Sequence, residues 1–389
     1  MKILIVTTIL FAITSLHGQN LPVKLSKEDE AHLDSICQLQ LQENKFPGLA
    51  IGIVANGETL YAKGFGVKKL GGTDSVTTTS VFHLASISKT FVATSIGLLI
   101  EQQKLTLEDK VTDHLPYFEM KDSRYKDITI RHLLTHTSGM PDVSNYHWKK
   151  AQFHDKALED YVKSIKTKKL KSDPGVRHDY SNMAFEILGD VIAKVSGTSF
   201  EVFVKKSILE PAGMNNSSFY LPDIDTSLLT TPHVKRPFVK VHDSYPYNRL
   251  YAPSSTLNSN VEDMLNYMKL YANKGTLNGQ EVFSESTYNL LTQEHFKIDG
   301  ARSRGLALEL FSYKDLGFGY IGFGFSHAGS DIGFQSLLVN HLDRSFAFVI
   351  MHNGYWNEDY SKFNKAAIRL KNKYAKEHLT KSENPHNKH

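Results

Sequence analysis

The sequence predicts an α/β (α+β) protein whose antiparallel sheet is built from both ends of the chain and is flanked by helices. Short β-type runs follow residue 45 and return in the last third, whereas most periodic stretches between them have helical spacing. No fixed-period repeat or low-complexity linker divides the chain. We therefore expect one composite unit over 19–378, with a sheet part at about 25–85 and 275–378 and an inserted, mostly helical part at about 86–274.

The composition excludes several protein classes. The 389 residues are 41% hydrophobic and 22% charged, which excludes a disordered or fibrous chain and permits a sizeable core. A formal net charge of +4 gives no reason to expect a nucleic-acid partner, because phosphate binding needs a basic face. Cys37 is the only cysteine, so neither an intrachain disulfide nor a cysteine-based metal cluster is possible.

Residues 1–18 have the layout of a secretory signal peptide. Lys2 precedes a mainly apolar run from Ile3 to Leu16, which is too short to span a bilayer comfortably. A buried amino-terminal strand is the alternative interpretation. We expect cleavage near Gly18, a secreted or periplasmic protein, and no stable membrane anchor once the signal is removed.

The remaining elements follow in order along the chain. The stretch KEDEAHLDSICQLQLQ predicts a helix, and Asn56-Gly57 between two β-type runs predicts a hairpin. In the last third, GLALELFSY, GYIGFGFSH, GFQSLLVN and SFAFVIMHN are typical of strands. The stretch SKFNKAAIRLKNKYAKEHL predicts a final amphipathic helix, and the polar tail 379–389 is expected to be disordered.

A Ser-x-x-Lys pattern is the first candidate catalytic feature. On a helix, Ser86 and Lys89 share one face, so an ammonium can lower the cost of forming the serine alkoxide. The helix N-terminus adds free backbone N–H groups. Ser123 and Lys126 repeat the spacing within a polar stretch, whereas Ser86 leads into the apolar run TFVATSIGLLIEQQ. The apolar setting makes the lysine charge more effective and favours Ser86.

A Tyr-x-Asn pattern occurs three times, beginning at Tyr180, Tyr271 and Tyr355. Taken singly, such a pattern is more often structural than catalytic. The run DPGVRHDYSNMAFEILGDVI favours Tyr180 with Asn182, because it joins a Pro-Gly turn to a helix of buried type.

A His-x-Gly pattern occurs twice, at His327 with Gly329 and at His352 with Gly354. The first copy lies in GFGFSHAGSDIGFQS, a glycine-rich strand whose small residues would let a substrate backbone lie against the strand edge. The second copy closes the last core strand, where a turn explains it.

The ordered set SISK (86–89), YSN (180–182) and HAG (327–329) resembles the beta-lactamase-related serine hydrolases, which include class C beta-lactamases, D-alanyl-D-alanine carboxypeptidases, D-aminopeptidases and esterases. Supporting segments such as ITIRHLLTHTSGMPD extend the resemblance over about 45–370. The resemblance implies a beta-lactamase/transpeptidase-like fold with its active site between the sheet and the helical region.

The resemblance also implies roles for the motif residues. Ser86 would be the nucleophile, Lys89 would hold its proton network, and Tyr180 would act as general base and then acid. Asn182 would orient the lysine and bind the substrate amide or ester. The backbone N–H groups of Ser86 and Ser330 would form the oxyanion hole.

The third motif departs from that of the beta-lactamases. They usually carry Lys-Thr-Gly there, a fixed cation for the substrate carboxylate, whereas His327 stands here ahead of Gly329. A neutral histidine binds a carboxylate weakly. No Glu-x-x-Leu-Asn is recognisable either. Penicillin hydrolysis is therefore not expected as the native activity.

No metal and no other cofactor is predicted. His132 and His136 are four residues apart and could be drawn as a helical metal pair, but no third ligand accompanies them. The resemblance makes this segment structural.

The sequence therefore predicts an exported, cofactor-free serine hydrolase that acts on a small-molecule or short-peptide substrate through an acyl-enzyme on Ser86. D-amino-acid peptides are the leading substrate class. One alternative is an acyltransferase that passes the acyl group to an alcohol or amine. Another is a non-turnover penicillin-binding or sensor protein. Specificity is expected to reside in the loops at 143–175 and 220–256, and the oligomeric state is left open.

Overall fold

A computed structural model describes residues 24–300, 302–312, 323–355 and 360–375. The predicted signal peptide (1–18), the predicted tail (379–389) and the first four residues of the predicted strand GYIGFGFSH lie outside these ranges. Within them, no helix combines the length and the apolar character needed to cross a bilayer.

The described chain starts with a helix and a pair of long strands, passes through a mostly helical middle part with short strands, and returns to strands before a final helix. The α-helices of the described residues are α1 (Lys27–Asn44), α2 (Ser88–Glu101), α3 (Val111–His114), α4 (Ile130–Leu134), α5 (Ala157–Ser164), α6 (Asn182–Ser196), α7 (Phe200–Val204), α8 (Ala252–Ser255), α9 (Val261–Ala272), α10 (Glu285–Thr292) and α11 (Ser361–Tyr374). The strands are β1 (Gly48–Ala55), β2 (Glu58–Gly66), β3 (Phe82–His83), β4 (His233–Lys235), β5 (Val239–Val241), β6 (Asn258–Ser259), β7 (Thr276–Leu277), β8 (Gln280–Glu281), β9 (Phe296–Lys297), β10 (Arg302–Arg304), β11 (Glu309–Ser312), β12 (Phe323–Asp331), β13 (Phe334–His341) and β14 (Phe346–His352).

The main sheet joins the two ends of the chain. Its eight strands follow the order β2-β1-β14-β13-β12-β11-β10-β9, and every neighbouring pair is antiparallel. β1 lies beside β14, with Ile51 opposite Ile350. The hairpin from β1 to β2 turns at Asn56 and Gly57, whose φ angles of 54° and 78° are the positive values that a tight primed turn needs. The predicted fold class is confirmed.

Both faces of the sheet are covered, which explains why β1 is apolar throughout. Successive side chains of a strand point to opposite faces. Ile51 and Ile53 pack in the cluster that α1 and α11 cover, whereas Ala50 and Val54 pack in the larger cluster of the helical region. Cys37 of α1 is fully buried in the first cluster, and burial raises the pKa of its thiol to about 12. The only thiol is therefore inert.

Two glycines permit the close packing that brings three segments together. On α6, a Cβ at Gly189 would lie 2.1 Å from the Pro253 side chain, so only glycine lets α8 approach α6 this closely. On β12, a Cβ at Gly329 would lie 2.1 Å from the Leu84 carbonyl oxygen. The first contact packs α8 against α6, and the second brings β12 against the segment that precedes α2.

Candidate active site

Ser86 lies in a short 3-10 turn, Ala85–Ile87, that leads into α2. Ala85 has a φ of 47°, in the left-handed region that non-glycine residues seldom adopt, so the chain bends sharply just before Ser86. Hydrogen bonds fix the segment on both sides. The Leu84 nitrogen donates to the Leu257 carbonyl at 2.8 Å, and the Leu84 carbonyl accepts from the Ser336 hydroxyl at 2.9 Å.

Lys89 is fully buried in the first turn of α2. Its Nζ donates one hydrogen bond of 3.1 Å to Oγ of Ser86 and another of 2.7 Å to the carbonyl oxygen of Ser254, on α8. It also lies 5.1 Å from the centre of the Tyr180 ring and 5.5 Å from that of Phe185, within the range of a cation–π contact. The ammonium is thus held between the Ser86 hydroxyl and the Tyr180 ring.

Tyr180 precedes α6 and is half-buried. Its ring stacks on that of His136, with ring centroids 4.1 Å apart and planes at 26°. The next residue, Ser181, is the N-cap of α6, because its Oγ accepts a hydrogen bond from the Ala184 nitrogen at 3.3 Å. The capped helix start fixes the backbone that carries Tyr180.

Asn182 is the first residue of α6, and Asp142 holds it. Its backbone nitrogen donates to Oδ1 of Asp142 at 2.8 Å, and its Nδ2 donates to the same oxygen at 3.0 Å. Its Oδ1 is buried without a hydrogen-bond partner among the described residues. Asp142 therefore fixes the amide orientation and leaves one acceptor oxygen unused. The hydrogen bonds described for Lys89 go to Ser86 and Ser254 rather than to this amide.

The third motif lies where β12 runs past the end of β11. β11 pairs with β12 over 323–326, and the remaining residues of β12 pair with β13. Gly329 touches the Leu84 carbonyl, two residues before Ser86, and Ser330 next to it is exposed. The structure thus brings together the SISK, YSN and HAG segments, which are far apart in sequence.

His327 is a buried neutral side chain rather than a surface cation. It is 2% exposed, and its Nδ1 lies 2.8 Å from the Ala328 carbonyl, so Nδ1 carries the proton. Its Nε2 is buried without a partner among the described residues. Burial, with the Lys89 charge next, lowers the pKa of His327 to about 4. At pH 7 the ring has no charge to offer a carboxylate.

The sequence patterns did not identify three charged residues near the site, which are Arg304, Glu309 and Glu186. Arg304 is 6% exposed, donates from Nε to His178 at 2.9 Å, and pairs with Glu309 across the strands at 2.9 Å. Glu186 is fully buried, and its Oε2 accepts from the Ser254 nitrogen at 3.2 Å. Glu186 could have been noticed, because it is a charged residue within the apolar run MAFEILGDVI. No sequence signal marked Arg304.

The other copies of the motifs lie elsewhere. Ser123 is exposed on a separate 3-10 turn, and Tyr355 is 39% exposed. Tyr271 is buried in the core, where its hydroxyl lies 3.2 Å from that of Thr94. His352 is buried and stacks on a phenylalanine ring. None of these four side chains adjoins Ser86 in the contacts described.

His132 and His136 turn their ring nitrogens to different backbone donors. Nδ1 of His132 accepts from the Thr129 nitrogen at 3.2 Å, and Nδ1 of His136 accepts from the Ser181 nitrogen at 3.1 Å. In the part of the chain that the structure describes, no group of three or more His, Cys, Asp or Glu side chains is placed to hold a metal ion.

The sequence of the chain is similar to those of known proteins. The chain is similar to a penicillin-binding protein of Bacillus subtilis (strain 168), with 28% identity over 362 residues that cover 87% of this chain and 75% of the relative. It is 31% identical over 198 residues to protein flp of Staphylococcus aureus (strain MRSA252), covering 50% of this chain and 39% of that relative. The chain thus spans well under half the length of the second relative.

Solved structures show the same fold. An octameric penicillin-binding protein homologue from Pyrococcus abyssi superposes with a TM-score of 0.74 at 23% identity, covering 89% of this chain and 79% of that one. A penicillin-binding protein from Bacillus halodurans gives a TM-score of 0.69 at 22% identity, covering 87% and 98%. The family model described as Beta-lactamase matches residues 33–373. With its fold, its three clustered motifs and this match, the chain belongs to the beta-lactamase family.

Proposed function

We propose that this protein is a serine hydrolase that cleaves a small amide or ester, with D-amino-acid peptides as the leading substrates, through an acyl-enzyme on Ser86. The observation that carries the proposal is the pair of hydrogen bonds made by the buried Lys89, one to Ser86 and one to the Ser254 carbonyl. A lysine held in this way keeps its charge directed at the serine oxygen, where the alkoxide would form.

In the proposed reaction, Oγ of Ser86 attacks the carbonyl carbon of the substrate while its proton passes to the oxygen of Tyr180, which acts as the general base in its phenolate form beside the Lys89 ammonium. The negative oxygen of the tetrahedral intermediate accepts hydrogen bonds from the backbone N–H groups of Ser86 and Ser330. The bond to the leaving group then breaks, and that group takes the proton back through Tyr180. A water molecule adds to the acyl-enzyme by the reverse route, which releases the acid and restores the Ser86 hydroxyl.

The surroundings of the third motif support a substrate that is neutral at that end. His327 is uncharged at pH 7, because its pKa lies at about 4, and its unused Nε2 is an acceptor rather than a cation. We therefore expect hydrolysis of short esters or D-amino-acid amides to exceed nitrocefin hydrolysis by a wide margin. Cephalosporin turnover as fast as that of the best ester would contradict this part of the proposal.

A second candidate function is a penicillin-binding protein that acylates but releases the acyl group slowly. The names of the Bacillus relatives support this candidate. The two candidates predict the same covalent adduct and differ in its lifetime, so turnover separates them. Product analysis with an added alcohol or amine would reveal acyl transfer.

The central experiment combines labelling with an activity screen. The purified protein is treated with a fluorophosphonate and, separately, with a slowly hydrolysed beta-lactam, and its intact mass is measured. We expect one adduct, mapped to the peptide that contains Ser86, and none in Ser86→Ala. Ser123→Ala is the matched control and should label normally. An adduct on Ser123, or labelling that survives Ser86→Ala, would exclude the assignment.

We also propose that the protein is exported by the amino-terminal segment. Expression of the full chain followed by N-terminal sequencing should give a mature protein that begins near residue 19. Retention of residues 1–18 in a purely cytoplasmic fraction would contradict export.

A further inference from the structure

His136 holds the backbone on both sides of Tyr180. Its carbonyl oxygen accepts a hydrogen bond of 2.8 Å from the nitrogen of Asp179, the residue before the tyrosine. Its Nδ1 accepts a hydrogen bond of 3.1 Å from the nitrogen of Ser181, the residue after it. Between these two bonds, the His136 ring lies against the Tyr180 ring with centroids 4.1 Å apart. One residue thus contacts three consecutive positions.

The local conformation of His136 suits this contact. Its φ is 57°, in the left-handed region, which histidine tolerates better than most residues. The residue is 1% exposed and also packs on Phe185, whose ring centroid is 5.0 Å away. The phenol therefore rests on a ring that the surrounding core holds in place.

The hydrogen bond from Ser181 also fixes the tautomer of the ring. A backbone N–H can only donate, so Nδ1 of His136 bears the lone pair and Nε2 bears the proton. Burial and the charges of Arg304 and Lys89 hold the pKa of His136 well below its usual range. The ring beside Tyr180 is therefore neutral, and it does not add a second cation next to Lys89.

We propose that His136 is the positioning residue of Tyr180 and holds the phenol beside the Lys89 ammonium for proton transfer. The inference rests on the proposed function of Ser86, Lys89 and Tyr180. His136 has no hydrogen bond or ring contact with Ser86 or Lys89 among those described, so the site residue that it contacts directly is Tyr180. A displacement of about 1 Å in such a group can slow catalysis by about 10²-fold.

The test is a double-mutant cycle on the full chain, read as the rate of Ser86 phosphonylation and as kcat and KM on a p-nitrophenyl ester. His136→Asn tolerates the positive φ but removes the stacked ring. In the Tyr180 background we expect it to lower kcat and the labelling rate by about 10- to 100-fold with little change in KM. In the Tyr180→Phe background, which has no phenol oxygen to position, the same change should alter the rate by less than about 2-fold.

His132→Asn is the matched control. His132 lies one turn earlier and also accepts a backbone hydrogen bond, from Thr129, but it does not contact Tyr180 in the contacts described. The His132→Asn change should alter kcat by less than about 2-fold in both the Tyr180 and the Tyr180→Phe backgrounds. If His136→Asn fails to fold, His136→Phe completes the cycle. It keeps a ring against the tyrosine but removes the acceptor for the Ser181 nitrogen, and it should lower the rate in the Tyr180 background and not in the Tyr180→Phe background.

The outcomes separate this inference from the function on which it rests. If Ser86 does not label, or Tyr180→Phe reacts as fast as the wild type, the proposed function fails and the inference falls with it. If Tyr180→Phe is slow but His136→Asn is silent, the inference alone is overturned. It is also overturned if His136→Asn lowers the rate by the same factor in both backgrounds, because a purely structural role would act without the phenol.

Discussion

The backbone nitrogen of Ser254 donates a hydrogen bond of 3.2 Å to Glu186, while the carbonyl of the same residue accepts the 2.7 Å hydrogen bond from Lys89. A fully buried carboxyl on α6 therefore binds the same residue that holds the lysine, through the preceding peptide group. Burial raises the pKa of Glu186 to about 8, and the nearby Lys89 charge offsets this only in part. The carboxyl is mostly protonated at pH 7, so it leaves the ammonium free to act on Ser86.

Glu186 should make the protein less stable as the pH rises. Its pKa is 4.5 when unperturbed and about 8 in the folded protein, so the folded state binds this proton more tightly. The resulting stability is fully present below pH 4.5 and is lost as the pH rises through 8. Relative to the wild type, Glu186→Gln should therefore gain stability between pH 5 and pH 8.5. The test is to measure the urea unfolding midpoints of the variant and the wild type at both pH values. If the difference between the two proteins is the same at pH 5 and at pH 8.5, the raised pKa is contradicted.

Tyr180→Phe should lower kcat by about 10²- to 10⁴-fold, because it removes the oxygen that we propose carries the proton and changes the side-chain volume little. Tyr271→Phe removes a buried hydroxyl that contacts Thr94, so it should reduce stability by about 1 kcal/mol and leave kcat nearly unchanged. Tyr355→Phe should be silent in both assays. Steady-state kinetics and thermal unfolding of the three variants distinguish these effects. A larger loss of activity in either control would mean that the wrong tyrosine was assigned.

Gly329→Ala should abolish the proposed activity. The added Cβ would lie 2.1 Å from the Leu84 carbonyl and 2.4 Å from Oγ of Ser336, so β12 must move away from the turn that carries Ser86. We expect at least about a 10²-fold loss of ester hydrolysis, because the shift would displace Ser330 from Ser86, its partner in the proposed oxyanion hole. Gly300→Ala meets no atom within 4 Å and is the matched control. Near-normal activity of Gly329→Ala would show that the strand tolerates the displacement.

The buried histidines should make the protein unstable in acid. Burial lowers the pKa of His178 and His327 to about 4, that of His352 to about 3, and that of His136 well below its usual range. Each binds a proton in the unfolded chain near pH 6.5 but not in the folded one. The contribution of these neutral histidines to the free energy of unfolding is fully present above pH 6.5 and is lost as the pH falls toward 4.

His327 offers a test of that acid sensitivity. At pH 5 this fully buried ring alone would lower stability by about 2 kcal/mol relative to pH 7. Urea midpoints at pH 7 and pH 5 should show a smaller difference for His327→Gln than for the wild type. An equal difference would mean that His327 does not contribute to the acid sensitivity.

The parts of the molecule that follow from local spacing were predictable from the sequence. The contact between Ser86 and Lys89 spans three residues of one helical turn, and the hairpin at Asn56 follows from its turn chemistry. The residues that flank each Tyr-x-Asn pattern also favoured Tyr180 over Tyr271 and Tyr355. These features depend on neighbours in sequence, which is why a single chain reveals them.

The contacts that orient the site were not predictable, because they join distant segments. Asp142 reaches Asn182 across 40 residues, Glu186 reaches Ser254 across 68, and Arg304 reaches His178 across 126. Nothing in the spacing of any of these residues reveals its partner. Their geometry depends on how α6, α8 and β10 pack, and single-sequence patterns do not encode that packing.

The β1–β14 ladder also sets the order in which the protein can fold. β1 is synthesised long before its partner β14, because most of the described residues lie between them in the sequence. Until β14 is made, the edge of the apolar strand β1 that pairs with it has no partner. Such an edge favours aggregation, and pairing between distant strands is slow. The segment that carries Ser86 likewise needs β12 and β13 to hold it. The proposed activity should therefore arise only after β12, β13 and β14 have been made, and chains that end before these strands should be inactive and prone to aggregate.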